Sequence, residues 1–145
     1  MTTRFPRSSY DRTGGLVYFA RMLDKIRLHA GHALAPAYHE NLGGGFDGRC
    51  CTFLGVKYPA LRERTLAGGS DEDVLHWCFQ HGRKPSEDEI TDWNEFMVKR
   101  GWRDSGTLRL LQRIKDSSLE GRTPPILTFF DYLEVDEGRV PPTFP

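Results

Sequence analysis

Side chains able to bind an anion or transfer a proton are concentrated between the first predicted helix and the turn that follows it. Six of them form the candidate ligand-binding set: Arg21, Asp24, Lys25, Tyr38, His39 and Glu40. Guanidinium and ammonium groups attract anions, and histidine transfers protons near neutral pH. Asp24 or Glu40 would orient His39. The pattern suggests a pocket between the first helix and the Tyr38–Asp47 turn, without assigning any catalytic residue.

Three histidines in the same stretch raise the alternative of a metal site. His29, His32 and His39 fall within eleven residues, and the first two are three residues apart on the predicted helix. Imidazole binds zinc, nickel or copper, but the His-Glu-x-x-His pattern is absent. We therefore predict surface or turn histidines, no metal and no cofactor. The spacing leaves open whether the three converge.

A glycine-rich turn separates these histidines from the next helix. Residues 43–48 formally match G-x-G-x-x-G, but no strand precedes them, and Asp47 at a helix start would repel a phosphate. A dinucleotide site is therefore rejected. Three consecutive glycines lose much backbone entropy on ordering. They predict a mobile, exposed loop over residues 41–48, which either orders when something docks or is a neutral insertion.

The cysteines favour a reducing compartment. Cys50 and Cys51 are adjacent, and neighbouring helical residues point about 100° apart, so we interpret them as buried thiols. A count of three gives no disulfide framework. The sequence has neither a signal-peptide pattern nor an apolar run of bilayer length. We expect a cytoplasmic protein without a membrane partner.

Helical spacing of apolar residues dominates the chain. Thr13 is placed to cap the first helix, whose apolar positions are Leu16, Phe19, Leu23, Ile26 and Ala30. Further helices are predicted to start at Asp47, Pro59, Ser70, Ser86, Asp104 or Ser105, and Pro125. Ser70 and Ser86 precede acidic residues in capping-box arrangements. No segment alternates apolar and polar residues for long, so no strand is predicted.

These elements predict an all-α fold. We expect a single globular domain over residues 1–145, with six or seven short-to-medium helices and no coiled coil. Residues 1–12 should form a flexible arm and residues 139–145 an extended, proline-rich tail. The core should contain the aromatic side chains at helical spacing: Trp77, Trp93, Trp102, Phe96, Phe129 and Phe130. Leu108, Leu111 and Ile114 should supply the apolar side of the penultimate helix.

Several short motifs resemble one known family. They are Gly14-Gly15-Leu16, Arg21–Arg27, Tyr38 followed by the Asp47 helix ending in Phe53-Leu54-Gly55, Asp71–Leu75 and Asp136–Gly138. On these residues the chain resembles domain-of-unknown-function family 5069. The resemblance implies a helical bacterial protein, and it supplies no substrate, cofactor or catalytic residue.

The charge balance argues against a dedicated nucleic-acid binder. Twenty basic and twenty acidic residues cancel, whereas such proteins usually show a basic excess. Residues 1–69 carry ten Lys/Arg and five Asp/Glu, and residues 70–145 carry ten and fifteen. This division suits two attracting faces of one domain or head-to-tail association. The basic-aromatic group of Trp102, Arg103, Arg109 and Arg113 is interpreted as structural or interfacial.

Two functions follow from these observations. The leading hypothesis is a small non-enzymatic helical protein that acts through an unknown protein partner or as a homo-oligomer. The alternative is an enzyme or a small-molecule binder that holds an anionic ligand in the pocket beside the first helix.

Overall fold

A computed structural model describes residues 2–144 as a mainly helical chain. The α-helices are α1 Phe19–Ala30, α2 Gly45–Leu54, α3 Tyr58–Leu66, α4 Asp71–His81, α5 Glu87–Lys99, α6 Thr107–Asp116 and α7 Phe129–Asp136. A 3-10 helix, Pro36–Asn41, precedes α2. Seven short helices confirm the predicted fold class. Within residues 2–144, none of them combines the length and the apolar run that crossing a bilayer requires.

A small hairpin precedes α1 and corrects two predictions. Strand β1 (Arg12–Thr13) pairs antiparallel with β2 (Leu16–Val17). Gly14 and Gly15 connect them with φ values of 55° and 80°, the positive values that a two-residue type I′ turn needs. The absence of strands was therefore a wrong prediction, and so was Thr13 as a helix cap. The first helix begins at Phe19 because the glycine pair turns the chain before it.

The glycine turn is also not the exposed loop that was predicted for residues 41–48. Helix α2 begins at Gly45, inside that range, and Asp47 in its first turn is 0% exposed. Gly43 has φ +77°, and a Cβ atom there would lie 2.9 Å from Cδ2 of the Tyr58 ring. Positive φ and the close approach of an aromatic ring explain why residue 43 is a glycine.

The described chain forms two compact units, with the boundary between Thr91 and Asp92. In the first unit α1 lies at the centre and packs against α3, which also contacts α2 and α4. The fully buried apolar side chains of this core include Phe19, Met22, Leu23, Ile26, Leu54, Leu61 and Val74. The capping boxes predicted at Ser70 and Ser86 are both present, each with reciprocal hydrogen bonds to the residue three positions later.

The second unit is built on the contact between α6 and α7. Met97, Leu110 and Phe130 are buried, and the Phe129 amide donates to the Arg100 carbonyl at 2.9 Å. Thr128 caps α7 by accepting a hydrogen bond from the Asp131 amide. The last helix therefore begins at Phe129 and not at Pro125.

Candidate functional site

Three polar side chains form a buried cluster in the first unit, which we call the Tyr18 cluster: Tyr18, Lys25 and Asp47. Nζ of Lys25 lies 2.8 Å from Oδ1 of Asp47 and donates to the Tyr18 hydroxyl at 3.0 Å. The Tyr18 hydroxyl in turn donates to Oδ1 of Asp47 at 2.7 Å. All three residues are buried. The cluster joins the start and middle of α1 to the first turn of α2.

Asp47 has two roles in this cluster. Its Oδ1 neutralises Lys25, while Oδ2 accepts the Gly43 amide at 3.1 Å. A carboxylate in the first turn of a helix also complements the positive end of the helix dipole. Asp47 was predicted as the helix cap, but α2 begins two residues earlier and its N-cap is Gly44.

Tyr18 holds a strained backbone conformation at the start of α1. Its φ of 75° is unusual for a bulky residue, and such a conformation costs about 1–3 kcal/mol. The Tyr18 amide donates to the Ser9 carbonyl at 2.9 Å, which fixes the chain there. Burial, followed by the charge of Asp47, raises the pKa of Tyr18 well above its ordinary value. Tyr18 therefore acts as a neutral hydrogen-bond donor near neutral pH.

Arg21 and Tyr38 lie together, as the predicted pocket requires. The guanidinium carbon of Arg21 is 6.0 Å from the centroid of the Tyr38 ring, at the outer limit of a cation–π contact. Arg21 is buried, and its Nη1 donates to the Arg7 carbonyl at 3.1 Å. The arginine is thus already bonded to the chain's own backbone.

Asp24 binds the N-terminal segment instead of a histidine. Its two oxygens accept from both Nη atoms of Arg4, at 3.0 and 3.2 Å, and one also accepts the Arg7 amide at 2.9 Å. Paired hydrogen bonds of this kind between arginine and a carboxylate are strong and directional. Asp24 therefore holds residues 4–7 against α1.

His39 and Glu40 lie apart from these contacts. The His39 ring packs edge-to-face on His29, with 4.8 Å between centroids, and its Nε2 is 2.9 Å from the Leu34 carbonyl. Among residues 2–144, Glu40 has neither a hydrogen bond nor an ion pair. Neither carboxylate orients His39. The six predicted residues therefore take part in several separate contacts.

The sequence left open whether the three histidines converge on a metal. Across residues 2–144, no group of three or more His, Cys, Asp or Glu side chains converges on a possible metal position. Burial, together with the nearby positive charges of His39, Arg62 and His32, lowers the pKa of His29. The contact between His29 and His39 is thus more stable when the His29 ring is neutral.

An open cleft of about 380 Å³ lies between α2 and the start of α3. It is lined by Gly43, Cys51, Thr52, Gly55, Val56, Lys57 and Tyr58, and so by no residue of α1. Burial raises the pKa of Cys51 to about 11 and that of Tyr58 to about 12. Neither side chain is ionised at neutral pH, so neither is an activated nucleophile.

A different kind of surface occurs in the second unit, and we call it the α6 face: Leu108, Leu111 and the preceding Trp102. Leu108 is 81% exposed, Leu111 53% and Trp102 47%. The two leucines are three residues apart and lie on the same side of α6. The other apolar side of α6, which carries Leu110 and Ile114, is buried.

This exposure corrects the predicted core. Trp102 and Phe96 were expected inside the core but are exposed, and so are Leu108 and Leu111, which were named as apolar positions of the helix. Helical spacing identifies apolar positions without showing which of them a neighbouring element covers.

The loop that carries Trp102 is fixed to the start of α6. The Asp104 carboxylate accepts the Gly101 and Gly106 amides at 2.9 and 2.8 Å. The Thr107 hydroxyl donates to the Gly101 carbonyl at 2.8 Å and accepts the Asp104 amide at 3.0 Å. Trp102 is therefore presented on an ordered turn, a property that lowers the entropy cost of binding.

Sequence reasoning placed Trp102 both in the core and in a basic-aromatic group interpreted as structural or interfacial, and it considered Asp47 only in another role. It assigned Asp47 to a helix start but did not pair it with Lys25, because the path of the intervening turn is not encoded in local spacing. In the sequence, the arginine beside Trp102 was the only local indication that this side chain would be exposed.

Comparison with known proteins gives a family and no activity. No curated protein matches this sequence. The family model described as "Domain of unknown function (DUF5069)" matches residues 3–139, nearly the whole chain. The resemblance inferred from the short motifs is thereby confirmed, and the chain belongs to the DUF5069 family.

Proposed function

We propose that the protein acts without catalysis, by binding a protein chain through the α6 face. The observation that carries the proposal is the 81% exposure of Leu108 beside Leu111, on a helix whose other apolar side is already buried. Burying a leucine side chain releases about 1.5–3 kcal/mol, so covering both is a substantial driving force. Exposed apolar groups on one side of a helix, such as these two leucines, mark interaction sites, and Trp and Arg are frequent in such sites.

The Tyr18 cluster and the cysteines of the first unit are consistent with this proposal. Lys25 and Asp47 neutralise each other, and Tyr18 bonds to both. The three cysteines are buried thiols, and burial raises the pKa of each. Their free state also supports a location in the reducing bacterial cytoplasm, which remains part of the proposal.

The charge distribution over the two compact units supports self-association less than the charge difference between the two halves of the sequence does. The charge division does not follow the two compact units: the chain up to Thr91 holds twelve Lys/Arg and eleven Asp/Glu, and the remainder holds eight and nine. The apolar α6 face, and not a charge difference between units, is therefore the basis of the proposed interaction. The partner is another protein or a second copy, and we expect neither nucleic acid nor membrane.

The test compares a double variant with a matched control. Leu108→Asn with Leu111→Asn removes the apolar side chains of α6, while Leu66→Asn changes a leucine that is 42% exposed on α3. Size-exclusion chromatography with light scattering, at low and high salt, measures self-association. A protein captured by the wild-type chain is purified, and calorimetry measures its affinity for the wild type and for each variant.

We expect the wild-type chain and Leu66→Asn to bind the same partner, whether another protein or a second copy, and the double variant to lose that binding with its helical circular dichroism retained. A strictly monomeric chain for which no purified protein shows saturable binding would contradict the proposal. Equal affinities for the wild type and the double variant would contradict it too.

The second candidate function is binding of an anionic small molecule beside Tyr38. The observation in its favour is the Arg21 guanidinium facing the Tyr38 ring, next to the strained Tyr18 segment. Thermal-shift measurements with phosphate, carboxylate and nucleotide ligands provide the test. Stabilisation that disappears in Arg21→Ala supports this function, and no stabilisation by any of these ligands excludes it.

A further inference from the structure

We infer that the α6 face takes an acidic, apolar segment of a different protein. This inference rests on the proposed function and adds the chemistry of the partner. It is carried by charge, because the exposed leucines lie among cations that have no carboxylate partner within residues 2–144.

The segment from Trp102 to Asp116 is basic and its acids are occupied. Its four cations are exposed: Arg103, Arg109, Arg113 and Lys115. Asp104 pairs with Arg100 and accepts two backbone amides, while Asp116 accepts from Gln112. Within residues 2–144, none of the four cations lies within ion-pair distance of a carboxylate. The segment therefore presents unneutralised positive charge.

Cations lie along the line of exposed leucines and on one neighbouring line of α6. Leu108, Leu111 and Lys115 follow each other at steps of three and four and share one side of α6. Arg109 and Arg113 are four apart and lie together along a second line of the helix. A partner segment that places apolar residues on the leucines can therefore direct carboxylates to Lys115 along the same line and to Arg109 and Arg113 on the neighbouring line. Such charge complementarity gives specificity and a fast association rate.

Charge also distinguishes this partner from the other occupants. Two copies of α6 packed against each other would bring like charges together, which costs free energy. A membrane-surface helix needs a broad apolar side, whereas the α6 face offers only two leucines and one tryptophan beyond the covered positions. Nucleic acid favours exposed aromatic rings for stacking, but the guanidinium carbon of Arg103 is 5.1 Å from the Trp102 ring centroid.

The experiment uses two synthetic helical peptides as probes. Both carry leucine at steps of three and four, and the remaining positions are glutamate in one peptide and lysine in the other. Fluorescence anisotropy measures their affinity for the full-length chain. Arg109→Glu with Lys115→Glu reverses charge beside the leucines, and Lys84→Glu with Arg122→Glu makes the same charge change at other exposed positions.

We expect the wild type to bind the glutamate peptide at least about tenfold more tightly than the lysine peptide. The first charge-reversal variant should lose or invert that preference, and the second should keep it. Leu108→Asn with Leu111→Asn should weaken binding of the glutamate peptide. It should not invert the preference for that peptide, because it leaves the cations in place.

Four results would overturn the inference. They are no charge preference, an equal effect of both charge reversals, self-association that depends on Leu108, or binding only to phosphatidylserine vesicles or to polyuridine RNA. The first three leave the proposed function intact when the leucine double variant still loses a protein partner. Failure of the proposed function itself is recognised separately, since the leucine variant would then change no protein affinity.

Discussion

Nζ of Lys25 and Oδ1 of Asp47 lie 2.8 Å apart with both side chains buried, so the ion pair links α1 to α2 inside the first unit. Removing one partner leaves the other charge buried and unpaired. We therefore predict that Asp47→Asn lowers the free energy of unfolding by about 3–5 kcal/mol, measured by urea denaturation. Combining it with Lys25→Met should recover part of the loss. An Asp47→Asn variant as stable as the wild type would contradict a structural role for this pair.

The raised pKa of Tyr18 predicts alkaline destabilisation. Because burial and Asp47 raise the pKa of this phenol in the folded state, its contribution is fully present below the unfolded pKa of about 10. The contribution is lost as pH rises from that value toward the folded pKa. Urea midpoints measured at increasing pH should therefore fall less steeply in Tyr18→Phe than in the wild type. Parallel curves for the two proteins would exclude this effect of Tyr18.

The pair formed by His29 and His39 predicts a loss of stability in weak acid. The pKa of His29 is lowered in the folded state, so its contribution is present above the unfolded value of about 6.5. That contribution is lost as pH falls from about 6.5 toward the lowered pKa of His29 in the folded state. Between about pH 7.5 and about pH 5.5, the urea midpoint should drop less in His29→Gln than in the wild type. This range spans the reference pKa of about 6.5. His76→Gln, on the exposed side of α4, is the control and should behave like the wild type.

The two positive-φ glycines at the start of α2 should differ in their tolerance of alanine. Both need a left-handed backbone, which costs a non-glycine residue about 1–2 kcal/mol. A Cβ at Gly43 also meets the Tyr58 ring at 2.9 Å, whereas one at Gly45 has open space. Gly43→Ala should therefore destabilise the chain more than Gly45→Ala in thermal unfolding. Equal midpoints would show that the Tyr58 contact carries no steric cost.

Local signals in the sequence were reliable where a few adjacent residues determine the structure. The capping boxes at Ser70 and Ser86 formed as predicted because both partners lie within four residues. The hairpin was missed because two-residue strands are too short to show alternation, although the glycine pair between them is a turn signal.

Long-range relationships were not accessible from spacing. Lys25 lies on α1 and Asp47 on α2, and the 3-10 helix lies between them in the chain, so local spacing could not show that the two side chains pair. Leu110 and Leu111 are adjacent and equally apolar, yet only Leu110 is covered. Which side of α6 is buried depends on where α7 packs, and that information is absent from the period of the helix.

The most direct test of the central claim is the affinity of a purified protein partner for the wild-type chain and for Leu108→Asn with Leu111→Asn. We predict that the double variant binds at least about tenfold more weakly, a change equivalent to about 1.4 kcal/mol. Leu66→Asn should retain the wild-type affinity. An unchanged dissociation constant in the double variant, with its fold intact, would contradict the account.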